Sequence, residues 1–71
     1  MQRFFFPQLS LGKDIIISED SFVHQISRVL RTDIGESIIL FNGDGREYVY
    51  SIKSMTKKEI GLLFAKDYEN L

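Results

Sequence analysis

The stretch SIILFNGDGREYVYSIKS, residues 37–54, decides the fold. Its first five residues, Ser37 to Phe41, are apolar toward both faces, as in a strand covered on each side. Asn42-Gly43-Asp44-Gly45 then supplies the Asn-Gly and Asp-Gly pairs that favour hairpin turns, because both tolerate positive φ. From Arg46 to Ser54 apolar and polar residues alternate, which places Tyr48, Tyr50 and Ile52 on one face. The centre of the chain therefore predicts an antiparallel hairpin.

The flanks extend this pattern. After a turn around Met55 to Lys57, the segment Lys58 to Lys66 alternates again through Ile60, Leu62 and Phe64. Gly61 is expected to mark a bulge where that strand bends. Toward the N-terminus, Phe4 to Phe6 read as a short strand closed by Pro7, the single proline. Residues 7–13 read as a loop with Leu9 and Leu11 turned inward. Asp14 to Ile17 form a second strand, since three β-branched residues in a row favour extended backbone.

One helix is expected over residues 19–30. Ser18 is a suitable N-cap, and Glu19 and Asp20 place acid at the positive end of the dipole. Ile17 and Phe22 have the spacing of a hydrophobic staple. Phe22, Val23, Ile26, Val29 and Leu30 form one apolar stripe. Thr32 to Glu36 end the helix, with Gly35 free to turn. About five or six short strands and one helix predict a mostly β fold, a small antiparallel barrel with the helix across one open end.

A chain of 71 residues buries only about 60% of its unfolded surface. The core must come from the six Phe, the three Tyr and the branched aliphatics. There is no cysteine, so no disulfide or thiolate metal site braces the fold; a reducing, cytoplasmic setting is expected. No apolar run reaches the ~20 residues of a membrane span, and the apolar stretch of MQRFFFPQL is too short for a signal peptide. Nine basic residues against ten acidic ones give a net charge of −1. Binding nucleic acid by bulk charge needs a basic domain, so any such contact must come from a local patch.

Few residues could carry chemistry. One His, no Cys and no clustered carboxylates at ligand spacing leave no expected metal site. Ser27, near His24, lacks a glycine elbow and an orienting acid. The Gly-Asp-Gly of the hairpin precedes a strand, whereas a phosphate cradle needs a helix N-terminus. No catalytic constellation is expected. What remains is HQISRVLR, residues 24–31. His24, Ser27, Arg28 and Arg31 fall within an arc of roughly 100°, opposite the apolar stripe. Guanidinium forks suit phosphate oxygens and stack on bases, so this face could hold an anion. Equally, every amphipathic helix has a polar face, and basic residues in a last turn complement the dipole. Arg3 either joins the same patch or is a charged strand end beside core aromatics. Lys53, Lys57 and Lys58 read as a solvated turn.

MQRFFF, HQISRVLR and IGESIILFNGDGREY, in that order and spacing, resemble the start of the RsmE-type 16S rRNA uridine methyltransferases. The resemblance rests on Arg3, Phe4 and Phe5; on His24, Arg28, Val29, Leu30 and Arg31; on Gly35 and Glu36; and on Phe41, Gly43 and Gly45. It implies a PUA-like N-terminal barrel that positions small-subunit (16S) ribosomal RNA. Catalysis in that family belongs to a C-terminal knotted domain of the SPOUT class, which binds S-adenosylmethionine, methylates ring nitrogen 3 of a uridine and forms a homodimer. On this resemblance residues 1–71 are expected to be one PUA-like domain of a longer enzyme. The catalytic residues and cofactor site would then lie outside it. Arg3, His24, Arg28 and Arg31 become the expected RNA-facing residues, and Val29 and Leu30 core. The alternative is a structural module whose helix face docks on its own catalytic domain or on a partner domain, without RNA contact.

Overall fold

The computed structural model describes residues 2–7, 10–30 and 34–69, with backbone alone at Val29 and Leu30. The elements run β1 (Arg3–Phe5), β2 (Ile15–Ile17), α1 (Asp20–Leu30), β3 (Ser37–Phe41), β4 (Arg46–Met55) and β5 (Ile60–Glu69). The strands form one curled, half-barrel sheet in the order β1-β3-β4-β5-β2. Three of its pairings are antiparallel, as expected, but β1 runs parallel to β3, with Phe4 opposite Leu40. The reason is topological: α1 and its flanking turns carry the chain back across the sheet before β3 begins, which a parallel pair requires.

The inner face holds the core. Phe4, Phe6, Ile17, Ile38, Leu40, Tyr48, Tyr50, Ile52, Ile60 and Leu62 are buried there with Phe22, Val23 and Ile26 of α1. Phe22 meets Phe6 edge-on at 4.2 Å between ring centroids and Phe4 at 5.9 Å. Each such edge contact adds about 0.5–1.5 kcal/mol beyond area burial. The expected stripe therefore seats the helix, although the side chains of Val29 and Leu30 lie outside the described residues, as does Leu9. The helix starts one residue later than its capping pattern suggests. The Glu19 carbonyl accepts from the N–H groups of Phe22 and Val23, so Glu19 occupies the cap position assigned above to Ser18. Ile17 and Phe22 still share the core.

The hairpin between β3 and β4 is wider than two residues, since pairing stops at Leu40 opposite Tyr48. Side chains hold it open. Asn42 Oδ1 accepts from the Asp44 N–H at 3.2 Å, and Asp44 Oδ1 from the Arg46 N–H at 2.9 Å. Gly43 and Gly45 take φ of +90° and +88°, values reserved for glycine. Tyr48 closes the unit by donating its hydroxyl to Asp44 Oδ2. Tyr50, two residues on, ties the long loop to the sheet. Its hydroxyl donates to the Lys13 carbonyl at 2.8 Å and accepts from the Gly12 N–H at 3.0 Å.

β4 and β5 carry two irregularities. The register skips Lys53 on β4 and Ala65 on β5, so the bulge expected at Gly61 sits on the opposite strand. Gly61 faces a different constraint: a Cβ there would fall 2.5 Å from Ser54 Oγ, so the serine hydroxyl would have to turn aside.

The outer face has its own polar centre. Glu47 is 5% exposed, and an isolated buried carboxylate would be costly. Arg3 donates to its Oε2 and Tyr68 donates to its Oε1, the latter at 3.1 Å. The Arg3 guanidinium also lies 5.3 Å from the centre of the Phe41 ring.

Two outcomes follow for stability. Arg3→Ala removes the charged partner of a buried carboxylate and should lower unfolding free energy by about 1–3 kcal/mol. Arg28→Ala, on an exposed face, should change it by under ~0.5 kcal/mol; urea titration of both variants measures the contrast. Asp44 is held below its ordinary value of 3.8, first by the Tyr48 hydroxyl and then by the Arg46 N–H. A depressed carboxylate stabilises the fold above its unfolded pKa, and that contribution is lost as pH falls through the lower folded value. The wild-type chain should therefore lose more stability on acidification below pH 3.8 than Asp44→Asn, as read from denaturation midpoints across an acid series.

Candidate nucleic-acid interface

The polar face of α1 is set by what its apolar face buries. With Phe22, Val23 and Ile26 turned into the sheet, Ser21, His24, Gln25 and Arg28 share the exposed side. These four line one open hollow of about 470 Å³. Their offsets of 0, 3, 4 and 7 are those of one helical face.

His24 donates from Nδ1 to the Asp20 carbonyl at 3.1 Å, since a carbonyl only accepts. That leaves Nε2 to point away from the helix backbone. The Asp20 carboxylate lies 3.9 Å from Nδ1. Arg28 is exposed, and no carboxylate among the described residues pairs with it. Ser27, grouped with these residues by spacing, behaves differently. It is half-buried and donates its hydroxyl to the Val23 carbonyl at 2.7 Å, so it is occupied within its own helix. Arg31 lies outside the described residues.

Arg3 does not join this patch. Phe4 faces inward against Phe22, so its neighbour Arg3 points to the other side of the sheet. There it is committed to Glu47 and Phe41. The structure thus brings together His24 and Arg28 and separates Arg3 from them. It adds Ser21 and Gln25, which the sequence reading did not single out although their helical spacing to Arg28 was available.

Other surfaces carry less. Lys53, Lys57 and Lys58 are exposed, and the turn beyond β4 is held by Thr56, whose Oγ1 accepts from the N–H groups of Lys58 and Glu59. That fits the solvated turn. A hollow of about 430 Å³ beside the Lys53 bulge is lined mainly by β2, β4 and β5 residues and presents Lys53 and Asp14 to opposite signs of charge. No group of three or more His, Asp or Glu able to hold a metal occurs among the described residues. No helix among them is long and apolar enough to cross a membrane.

Residues 26–63 match the family described as the RNA methyltransferase PUA domain. That is 38 of the 71 residues. No curated protein sequence matches the chain. Among solved structures, it is similar to a ribosomal RNA small subunit methyltransferase E from Neisseria gonorrhoeae bound to S-adenosyl methionine. Identity is 28% and the TM-score 0.79 over 96% of this chain and 28% of that one. A putative methyltransferase from Legionella pneumophila with bound S-adenosylmethionine aligns with 29% identity and a TM-score of 0.78, covering 94% of this chain and 28% of that one. A predicted RNA methyltransferase from Thermotoga maritima shares the fold at 24% identity and a TM-score of 0.74, over 100% of this chain and 32% of that one. The chain spans less than a third of the length of each. The half-barrel capped by α1 and the match running from the second half of that helix through the central hairpin place the chain in the RNA methyltransferase PUA domain family.

Proposed function

We propose that this chain is the RNA-positioning domain of an S-adenosylmethionine-dependent methyltransferase acting on small-subunit ribosomal RNA. On this reading residues 1–71 are the N-terminal part of a longer enzyme. The reaction, methyl transfer to ring nitrogen 3 of a 16S uridine, belongs to a C-terminal SPOUT domain that also forms the homodimer. The enzyme acts in the cytoplasm during ribosome biogenesis. The observation that carries the proposal is Arg28, exposed and without a carboxylate partner among the described residues, beside His24 in an open hollow. A guanidinium left free in this way can give both prongs of its fork to a phosphate. Arg31, which lies outside the described residues, is proposed as a second phosphate contact on its sequence spacing to Arg28 alone. Arg3 supports the fold through Glu47 and reaches RNA only by giving up that partner.

The described residues do not fit S-adenosylmethionine. Ser18 and Glu19 link β2 to α1, and this strand-to-helix turn carries acid and no glycine, so it offers no backbone cradle for a nucleoside. The chemistry is therefore assigned to another part of the enzyme. Calorimetry with the 71-residue chain should show no saturable binding of S-adenosylmethionine; a micromolar isotherm would overturn that assignment.

RNA binding is tested by salt. The chain should bind a fragment of small-subunit rRNA weakly, with a slope of log affinity against log salt of about −1 to −3, as for two or three phosphate contacts. Changing Arg28 and Arg31 together to Ala should flatten the slope by roughly one to two units. Equal affinities for wild type and double variant across the series would exclude the helix face as the RNA surface. Loss of domain association in the longer enzyme, with RNA binding intact, would assign that face to docking instead.

A further inference from the structure

We propose that the groove between the start of α1 and the end of β1 is a binding site for one unpaired RNA base, next to the hollow that holds its phosphate. The inference rests on the RNA reading of α1 given above. Two hollows meet across the same two side chains, Ser21 and Gln25. On one side lie His24 and Arg28. On the other is a smaller hollow of about 190 Å³, with an apolar side lined by exposed Phe5 and Pro7 over the buried rings of Phe6 and Phe22, and a polar rim of Glu19, Ser21 and Gln25.

The two halves differ in sign and in chemistry. A phosphate is drawn to Arg28 and repelled from the Glu19 side. A nucleobase has the complementary needs: a flat face that prefers apolar contact and an edge of donors and acceptors. Gln25 can both donate and accept, whereas the Glu19 carboxylate only accepts. Ser21 donates its hydroxyl to Glu19 Oε1 at 3.3 Å, which leaves Oε2 open to a further donor. The rim therefore favours a base edge that presents N–H groups. In a duplex those edges are paired, so the ligand is single-stranded RNA. Gln25 and Arg28 stand three residues apart, about 5–6 Å between Cβ atoms, close enough for one nucleotide to reach both.

The test is fluorescence anisotropy with short labelled oligoribonucleotides of each base composition, and a hairpin duplex of matching length, over a salt series. The proteins are wild type, Gln25→Ala, Glu19→Gln and Arg28→Ala. All three side chains are exposed, and Glu19 receives the N–H groups of Phe22 and Val23 on its backbone carbonyl, which Glu19→Gln keeps; thermal melts should confirm that folding is retained. Gln25→Ala and Glu19→Gln should each weaken single-strand binding about three- to tenfold, the loss of one hydrogen bond, and change the ranking of bases with the salt slope unaltered. Arg28→Ala should flatten the slope and keep the ranking. Glu19→Gln is the decisive variant, because removing a negative charge strengthens a purely electrostatic contact. If Glu19→Gln binds more tightly, or the duplex binds as well as the single strand, or neither rim variant changes affinity while Arg28→Ala still flattens the slope, the base site is wrong and the RNA reading survives. If Arg28→Ala leaves the slope unchanged, both fall together.

Discussion

The ring of Phe22, wedged edge-on between Phe4 and Phe6, fixes how α1 sits on the sheet. With one helix to cover the concave face, the core depends on that contact. It also fixes which residues of α1 remain outside. Once Phe22, Val23 and Ile26 are committed to the core, Ser21, His24, Gln25 and Arg28 have no other direction to face. The same contact draws the end of β1 against the first turns of the helix, and the grooved surface there follows from it. The candidate interface is thus a by-product of core packing in its shape, and a matter of residue choice only in its chemistry.

Charge in this chain acts locally. A net charge of −1 gives no long-range attraction for RNA, and the described arginines have separate fates. Arg46 is paired with Asp67 at 2.7 Å, and Arg3 with Glu47. Arg28 alone of the three stays without a carboxylate partner among the described residues. An ion pair already formed must be broken before its guanidinium can serve a ligand, so counting basic residues overstates the surface available. On the proposed reading, an RNA contact through Arg28 would be short-ranged and made by few groups.

Much of the architecture was legible in the residues. The alternation around Tyr48, Tyr50 and Ile52, the three isoleucines of β2 and the stripe of α1 each reflect a burial pattern with a fixed period, and burial dominates the energetics. What escaped was set by contacts distant in sequence. Arg3 looked like part of a basic patch because nothing near it in the chain reveals Glu47, 44 residues away. Glu47 itself sat among alternating residues as an ordinary polar position, and only the folded sheet shows it buried. The parallel pairing of β1 was hidden for the same reason. Ser21 and Gln25 were missed for a different one. They are uncharged, and a search led by arginine and histidine passes over the amide and hydroxyl groups that lie between them.

The two skipped positions, Lys53 in β4 and Ala65 in β5, bear on how these strands tolerate changes of length. Each reverses the phase of the side chains beyond it. Before Ala65 the even-numbered Ile60, Leu62 and Phe64 face the core; after it Tyr68, also even, faces outward beside Glu47. Past Lys53 it is likewise odd-numbered Met55 that turns back to the core. A substitution at Ala65 leaves this phase intact, and deletion of that one residue would set Lys66 directly after Phe64 in plain alternation, so that Tyr68 stays opposite Glu47 and only the bulge is lost. The bulge is thus a spare residue that β5 can lose while the outer ion pair of Arg3 and Glu47 keeps its tyrosine.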